Sequence, residues 1–507
     1  METTVGSWIR KHAKADPDRM ALISHEKRFT YEEFNHRVNR LGHALISLGV
    51  RKGDRVDALL LNTNEILESM FACAKIGAIF VPINFRLSVE EVHYIVQDSR
   101  PNHFIYDERM RPLVDQLREM KSSILEYIHV GNNPHELDWR YEQLIVNAPQ
   151  TEPDINIRTE DIHMMMYTSG TTGKPKGAML SHQNTLWNAI NSIHASPFEK
   201  SDITLSAAPL FHIGGMSVFT TPLIYKGGTV ILDDSFDPER TLQKIQEEKI
   251  TSLFLVPAMW QAIMNVENFE DYDISSLRFC VSGGAPCPIT VITFFQDRGI
   301  PFYEGFGLTE TAPFVSILDE QNTLRKNGSV GKEPMHTRVR IVNDHNQDVE
   351  TGEVGELIVK GPNVMAGYWN KPEETKRVLK NGWFYTGDLA KYDDEGFLYI
   401  VDRKKDMIIT GGENVYPIEV EQALYRHPNI LETAVVGYPD EEWGESVKAV
   451  IALKNSEEPL TLQDIHDFLE GKIARFKMPR EIEMVEELPR NATGKVLKTK
   501  LRQKSHS

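Results

Sequence analysis

The sequence predicts an α/β protein: a large N-terminal domain of layered, mostly parallel sheets with helices, followed by a small α+β domain. Three observations lead there. Short runs rich in β-branched and aromatic residues alternate with helical patterns over roughly the first four hundred residues. Many of these runs are apolar throughout, as strands covered on both faces are. The 507 residues exceed what a single core serves, so more than one domain is expected.

Taken in order, "METTVGSWIRKHAKADPDRM" opens the chain without the apolar core of a secretory signal. "RVDALLLN" (55–62) reads as a strand. "ILESMFACAKIGAIFVPI" is the most apolar stretch, but Glu68 and Lys75 interrupt it, so no membrane span is expected. "HMMMYTS" (163–169) reads as a strand that runs into "YTSGTTGKPKG" (167–177). A helix is expected to begin near Ala178 and to include "MLSHQNTLWNAI". Further strands are "DITLSAAPL" (202–210), "GTVILD" (228–233), "TSLFLVP" (251–257) and "LRFCVSGG" (277–284), with an amphipathic helix "PERTLQKIQEEK" (238–249) between.

The pattern changes near residue 400. "GFLYIVDRKKDMII" sets a charged cluster between two apolar runs. After it come a helix "PIEVEQALYRHP", strands "ETAVVGY" and "ESVKAVIALK", a helix "TLQDIHDFLEGKIARF" and the strand-like "REIEMVEELP". The expected division is therefore 1–402 and 403–507, the second being an ordinary domain size.

The formal charge of −17 argues against general nucleic-acid binding, which rests on neutralising phosphates. Cys73, Cys280 and Cys287 form neither a CxxC pair nor a metal cluster and fit free thiols in a reducing cytoplasm. The chain ends in "KSHS", not a peroxisomal Ser-Lys-Leu. From Leu488 onward there are Lys and Arg residues and no Asp or Glu, a local reversal of charge. That segment is either a solvated tail or a cationic arm toward an anionic ligand.

"YTSGTTGKPKG" has the composition of an anion nest. Gly170, Gly173 and Gly177 allow close backbone approach, Thr168, Ser169, Thr171 and Thr172 bring hydroxyls, and Lys174 and Lys176 bring charge. Placed between a strand and a helix, it would direct N–H groups at a phosphate. It is not a Walker A loop, because Pro175 stands where that pattern needs its second glycine.

This stretch resembles the signature of the adenylate-forming superfamily: acyl-CoA synthetases, firefly-type luciferases and peptide-synthetase adenylation domains. "APLFHIGG" (208–215), "SGGAPCP" (282–288), "YEGFGLTE" (303–310), "GWFYTGDLA" (382–390), "DRKKDMIITGGENVYPIEVE" (402–421) and "PRNATGK" (489–495) also resemble its motifs, in family order. The likeness is strongest to bacterial fatty-acid-CoA ligases. It implies two half-reactions: an acid attacks ATP to give an acyl-adenylate and pyrophosphate, then coenzyme A displaces AMP.

The resemblance also implies residue roles. Glu310 and Thr168 would hold Mg²⁺, and Thr168, Ser169, Gly170, Thr171, Thr172, Gly173 and Lys176 the phosphates. Gly283, Gly284, Ala285, Tyr303, Gly305, Phe306, Gly307 and Thr309 would form the nucleotide slot, with Phe306 stacking on adenine where many relatives have Tyr. Asp388 and Arg403 would meet the ribose, and Lys495 would be the catalytic lysine. Lys405 would be the hinge of a mobile C-terminal domain whose Gly411 and Gly412 line the pantetheine tunnel. His212, Gly214 and Gly215 would border the acyl pocket.

From Ser206 to Ile224 there is no Asp, Glu, Lys or Arg, and His212 is the only titratable residue, which suits an apolar acid. A medium- or long-chain fatty acid is the leading expectation. An aryl acid of the coumarate or succinylbenzoate kind is the alternative, and a luciferase-like oxygenase a more distant one. The expected partners are the acid, ATP, Mg²⁺ and coenzyme A in the cytoplasm. Chain length, peripheral membrane contact and oligomeric state, including a homodimer, stay open.

Overall fold

The computed structural model describes residues 3–168, 174–440, 443–490 and 496–503. Packing divides the chain into two compact units, 1–339 with 359–384 and 340–358 with 385–507. The expected division, 1–402 and 403–507, followed the change of sequence pattern, whereas these units follow packing.

The first unit contains two eight-stranded sheets. In one, Phe279–Gly283, Ser252–Leu255, Ile203–Ser206, Thr229–Leu232 and Met20–Ser24 are parallel neighbours, and Phe302–Gly307 continues the parallel set. Antiparallel strands Phe314–Leu318 and Lys27–Thr30 close its two edges. In the other, Ile162–Thr168, Ile79–Pro82, Arg55–Leu59, His103–Asp107 and Glu126–Val130 run parallel. Central strands such as Ser252–Leu255 and Phe279–Gly283 are buried at every residue, as their mostly apolar, uncharged sequence allows. Layered α/β architecture is thus what the alternating pattern implied.

One expectation is overturned. The stretch after the Gly-rich loop does not start a helix: Lys176–Ser181 is a strand, paired antiparallel with Ile162–Thr168 in a hairpin. Its apolar "GAML" continues the sheet, and the helix His182–Ala195 begins only where Ser181 and Asn184 form a reciprocal cap. The described residues that follow the Gly-rich stretch thus lead into a strand, and the helix starts only at His182.

In the second unit, Gly444–Leu453 pairs with Ile430–Asp440, Ile408–Thr410 and, in parallel, Glu481–Val485. Helices Pro417–Leu424 and Leu462–Leu469 cover one face through Val420, Leu424, Ile465 and Leu469. The second helix is shorter than expected, since Gly471 follows it with φ +73°. The opposite face carries Leu488 and Leu501 over Ala434, Val436 and Val450. Among the described residues no helix is long and apolar enough to cross a membrane.

Candidate active site

In the first unit the parallel strands Ile203–Ser206, Phe279–Gly283 and Phe302–Gly307 all deliver their carboxyl ends to the same edge of the sheet. That edge is where open α/β sheets take ligands. Three predicted motifs, at 208–215, 282–288 and 303–310, run along or out from that edge.

The first is stapled from below. Asn62 donates to the carbonyls of Ser206 (3.2 Å) and Ala208 (2.9 Å) and accepts from the Leu210 N–H at 2.9 Å. His212 Nδ1 accepts from the Gly214 N–H at 3.1 Å, which fixes the ring plane. Gly215 admits no side chain: a Cβ there would lie 2.3 Å from the Pro209 carbonyl oxygen. Phe254 links this loop to the next. A Cβ at Gly214 would meet its ring at 3.4 Å, and one at Gly283 would meet the same ring at 3.3 Å. Behind Phe254 lie Phe198, Phe219, Phe279 and Tyr303, packed largely edge to face.

Along Phe302–Gly307 the side chains alternate between faces. Tyr303 joins that aromatic cluster, so its ring lies on the opposite face from Glu304 and Phe306. Glu304 sits beneath the 284–287 loop, where Gly284 (φ +86°) makes the turn and Gly284 and Ala285 are exposed. Burial pushes the Glu304 carboxyl up to about 8, opposed only by the Cys287 N–H it accepts from. Gly307 is required by packing, since a Cβ would overlap the Pro313 carbonyl. Thr309 and Glu310 follow in a buried 3-10 turn.

Glu310 is gripped by the segment 363–368. Asn363 Nδ2 donates to the carbonyls of Thr311 (2.7 Å) and Phe314 (2.8 Å), and the Met365 N–H donates to the Glu310 carbonyl at 2.8 Å. The Tyr368 hydroxyl donates to Glu310 Oε1 at 2.8 Å. Lys176 lies over the Tyr368 ring, 5.3 Å from its centroid, and is ion-paired with Glu374. Thr168 ends its strand opposite Lys176 and is half-buried.

In the second unit Asp388 and Arg403 are direct cross-strand partners, with Arg403 Nε 3.3 Å from Asp388 Oδ1. Asp388 is buried and lies in a strand, not in a turn. Next to them, Asp402 accepts from the Ile418 N–H at 3.0 Å and so anchors the strand end to the helix Pro417–Leu424. Lys405 is exposed. Gly411 (φ +57°) and Gly412 (φ +83°) form an exposed turn; the Gly411 N–H donates to the Trp443 carbonyl at 2.8 Å, and a Cβ at Gly412 would meet nothing within 4 Å.

The structure thus sets Gly214 and Gly283 against Phe254, ties His212 to Gly214, packs Gly215 on the Pro209 carbonyl, and separately pairs Asp388 with Arg403. Ser169, Gly170, Thr171, Thr172, Gly173 and Lys495 lie outside the described residues. Sequence reasoning missed Phe254, Glu304, Asn363 and Tyr368. A buried carboxylate needs a partner, but Tyr368 is 58 positions from Glu310, beyond any periodic signal. As to a metal, no group of three or more His, Cys, Asp or Glu among the described residues could hold one unaided. One carboxylate with an anchored oxygen is nevertheless a donor suited to Mg²⁺, which takes most of its ligands from water and substrate phosphates.

Comparison with known proteins decides the family. The model for the AMP-binding enzyme matches residues 9–369, and that for the AMP-binding enzyme C-terminal domain matches 419–495. The chain belongs to the AMP-binding enzyme family. This AMP-binding enzyme is 40% identical over 500 residues to a feruloyl-CoA synthase of Amycolatopsis sp, covering 99% of each chain. It is 35% identical over 504 residues to a long-chain-fatty-acid–CoA ligase of Mycobacterium tuberculosis, covering 98% of each. Among solved structures it resembles the anthranilate CoA ligase AuaEII in complex with anthranoyl-AMP, with a TM-score of 0.92, 29% identity and coverage of 99% of this chain and 97% of that one. Within the family this AMP-binding enzyme is an acid–thiol ligase of the acyl-CoA synthetase class.

Proposed function

We propose that this ATP-dependent ligase activates a carboxylic acid bearing an aromatic ring and transfers it to coenzyme A. The observation that carries the choice of acid is Phe254, whose ring spans Gly214 and Gly283 at the front of an aromatic wall. Such a wall suits a flat ring, which gains from edge and stacking contacts. The likeness to a feruloyl-CoA synthase and to an anthranilate CoA ligase supports it. The sequence put a fatty acid first, and that stays the second reading, favoured by the mycobacterial relative.

The acid's carboxylate oxygen attacks the α-phosphorus of ATP and pyrophosphate leaves. The thiol sulfur of coenzyme A then attacks the acyl carbon, AMP leaves, and the thiol proton passes to solvent. In our reading Thr168 and the hairpin loop (Ser169, Gly170, Thr171, Thr172, Gly173) hold the phosphates. They would do so through backbone N–H groups and hydroxyls, as an anion nest does. Lys176 already has a counter-ion in Glu374, so its charge supports the loop from within the fold. Gly283, Gly284, Ala285 and Phe306 frame adenine, Asp388 and Arg403 meet ribose, and His212, Gly214 and Gly215 border the acyl group. Glu310 and Thr168 would hold Mg²⁺, which when bound neutralises triphosphate charge. Lys495 steadies the charge that builds between carboxylate and phosphate. Lys405 serves as hinge, and Gly411 and Gly412 leave room for pantetheine. We place the reaction in the cytoplasm, where ATP and coenzyme A are supplied.

The test is product analysis with cinnamates, benzoates, arylacetates and saturated fatty acids of graded length. Acid-dependent release of AMP and pyrophosphate is expected, with kcat/KM for the best aryl acid at least about tenfold above any fatty acid. ADP as product would refute the chemistry. A fatty acid ranking first would refute the aromatic reading.

A further inference from the structure

We infer that Tyr368 is a positioning residue for Glu310, fixing which carboxylate oxygen meets the metal. The inference rests on the reading of Glu310 as the Mg²⁺ ligand. Its physical basis is independent of that reading. Glu310 and Tyr368 are both nearly buried, and the hydroxyl donates to Oε1 at 2.8 Å. A phenol keeps its proton at neutral pH, so in this contact the hydroxyl can serve Glu310 only as a donor.

Tyr368 is itself held at several points. Its N–H donates to Thr375 Oγ1 at 2.9 Å, its backbone pairs with Ala178, and the Lys176 ammonium lies over its ring. The same segment clamps the Glu310 turn through Asn363 and Met365. Backbone and side chain of Glu310 are therefore fixed from one stretch of chain, distant in sequence.

A carboxylate anchored through Oε1 cannot rotate without breaking that bond. Oε2 is left as the oxygen to face a cation. A free carboxylate would spend its time over many orientations, and a metal would have to restrict it on binding. Partners that orient a ligating group in this way commonly change metal affinity about 10- to 100-fold when removed.

The experiment titrates Mg²⁺ by calorimetry into protein saturated with α,β-methylene-ATP, for the parent, Tyr368→Phe and Glu310→Gln. Pyrophosphate release is measured on the same proteins across Mg²⁺ concentrations. Tyr368→Phe should weaken Mg²⁺ binding about tenfold or more and raise the Mg²⁺ needed for half-maximal rate in step. The parent kcat should return at high Mg²⁺. Glu310→Gln should lose the Mg²⁺ affinity that the protein adds to that of the nucleotide, and its kcat should not return at high Mg²⁺. The same titration into the analogue alone is subtracted, because its phosphates bind Mg²⁺ by themselves, and the active fraction of each variant is taken from its nucleotide-binding stoichiometry, so the comparison is of the metal affinity that the folded protein adds. If Tyr368→Phe binds Mg²⁺ like the parent while Glu310→Gln does not, Tyr368 has no positioning role. If Glu310→Gln also binds like the parent, the metal reading of Glu310 falls first.

Discussion

His182 gives a stability prediction whose size follows from the structure. It opens the helix His182–Ala195, is wholly buried, stacks on His163 with ring centroids 4.9 Å apart, and accepts from the Val5 N–H through Nδ1 at 3.2 Å. Burial pulls its pKa down to about 4, against a weaker upward pull from Asp161. Burial likewise holds His163 well below its ordinary range. The folded pKa of His182 lies below the unfolded value, near 6.5, so folding favours the neutral ring. Stability from this group is complete above pH 6.5 and falls as pH drops from there toward 4. At pH 5 the loss is about 2 kcal/mol, and below pH 4 it levels at about 3 kcal/mol. The perturbation is His182→Gln, whose amide oxygen can still accept from Val5 but does not titrate. Urea unfolding of parent and variant at pH 8 and pH 5 measures the gap between them. On moving to pH 5 the variant should gain about 2 kcal/mol relative to the parent. A gap that stays constant within about 0.5 kcal/mol would refute the claim that His182 is buried neutral.

Glu304 should show the opposite slope. Its folded pKa, about 8, is raised, so its contribution is complete below pH 4.5 and is lost as pH rises toward 8. Glu304→Gln should gain about 4 kcal/mol on the parent between pH 4.5 and 7.5, read by the same urea midpoints; parallel pH curves would count against it. Lys495→Ala should slow adenylate formation about a hundredfold while sparing thioester formation from supplied acyl-adenylate. Equal loss in both half-reactions, measured separately in the stopped-flow, would remove the proposed division of labour.

The fold class was legible because it depends on local pattern. "SLFL" and "FCVSG" carry no charge and only one serine each, and they lie in the interior of a sheet. The hairpin after the Gly-rich loop was not legible. "KGAMLSHQNTLW" carries apolar residues at spacings compatible with either a helix or a short strand. The choice fell to Ile162–Thr168, which needed an antiparallel neighbour. Ser181 then capped the helix four residues later than the sequence suggested.

At the candidate site the same distinction separates what could be read from what could not. His212, Gly215, Gly307 and Glu310 sit in compact motifs, because each loop end must satisfy its own turn. Their supports do not. Phe254 reaches Gly214 and Gly283 from the end of a different strand, and Asn363 and Tyr368 reach the Glu310 turn from a segment that first passes through Lys360 and Gly361. A support needs only a side chain of the right length at the right place in space, so any residue in the fold can supply it. That is why the motif residues can be named from order alone, whereas their geometry depends on contacts such as Phe254 against two glycines.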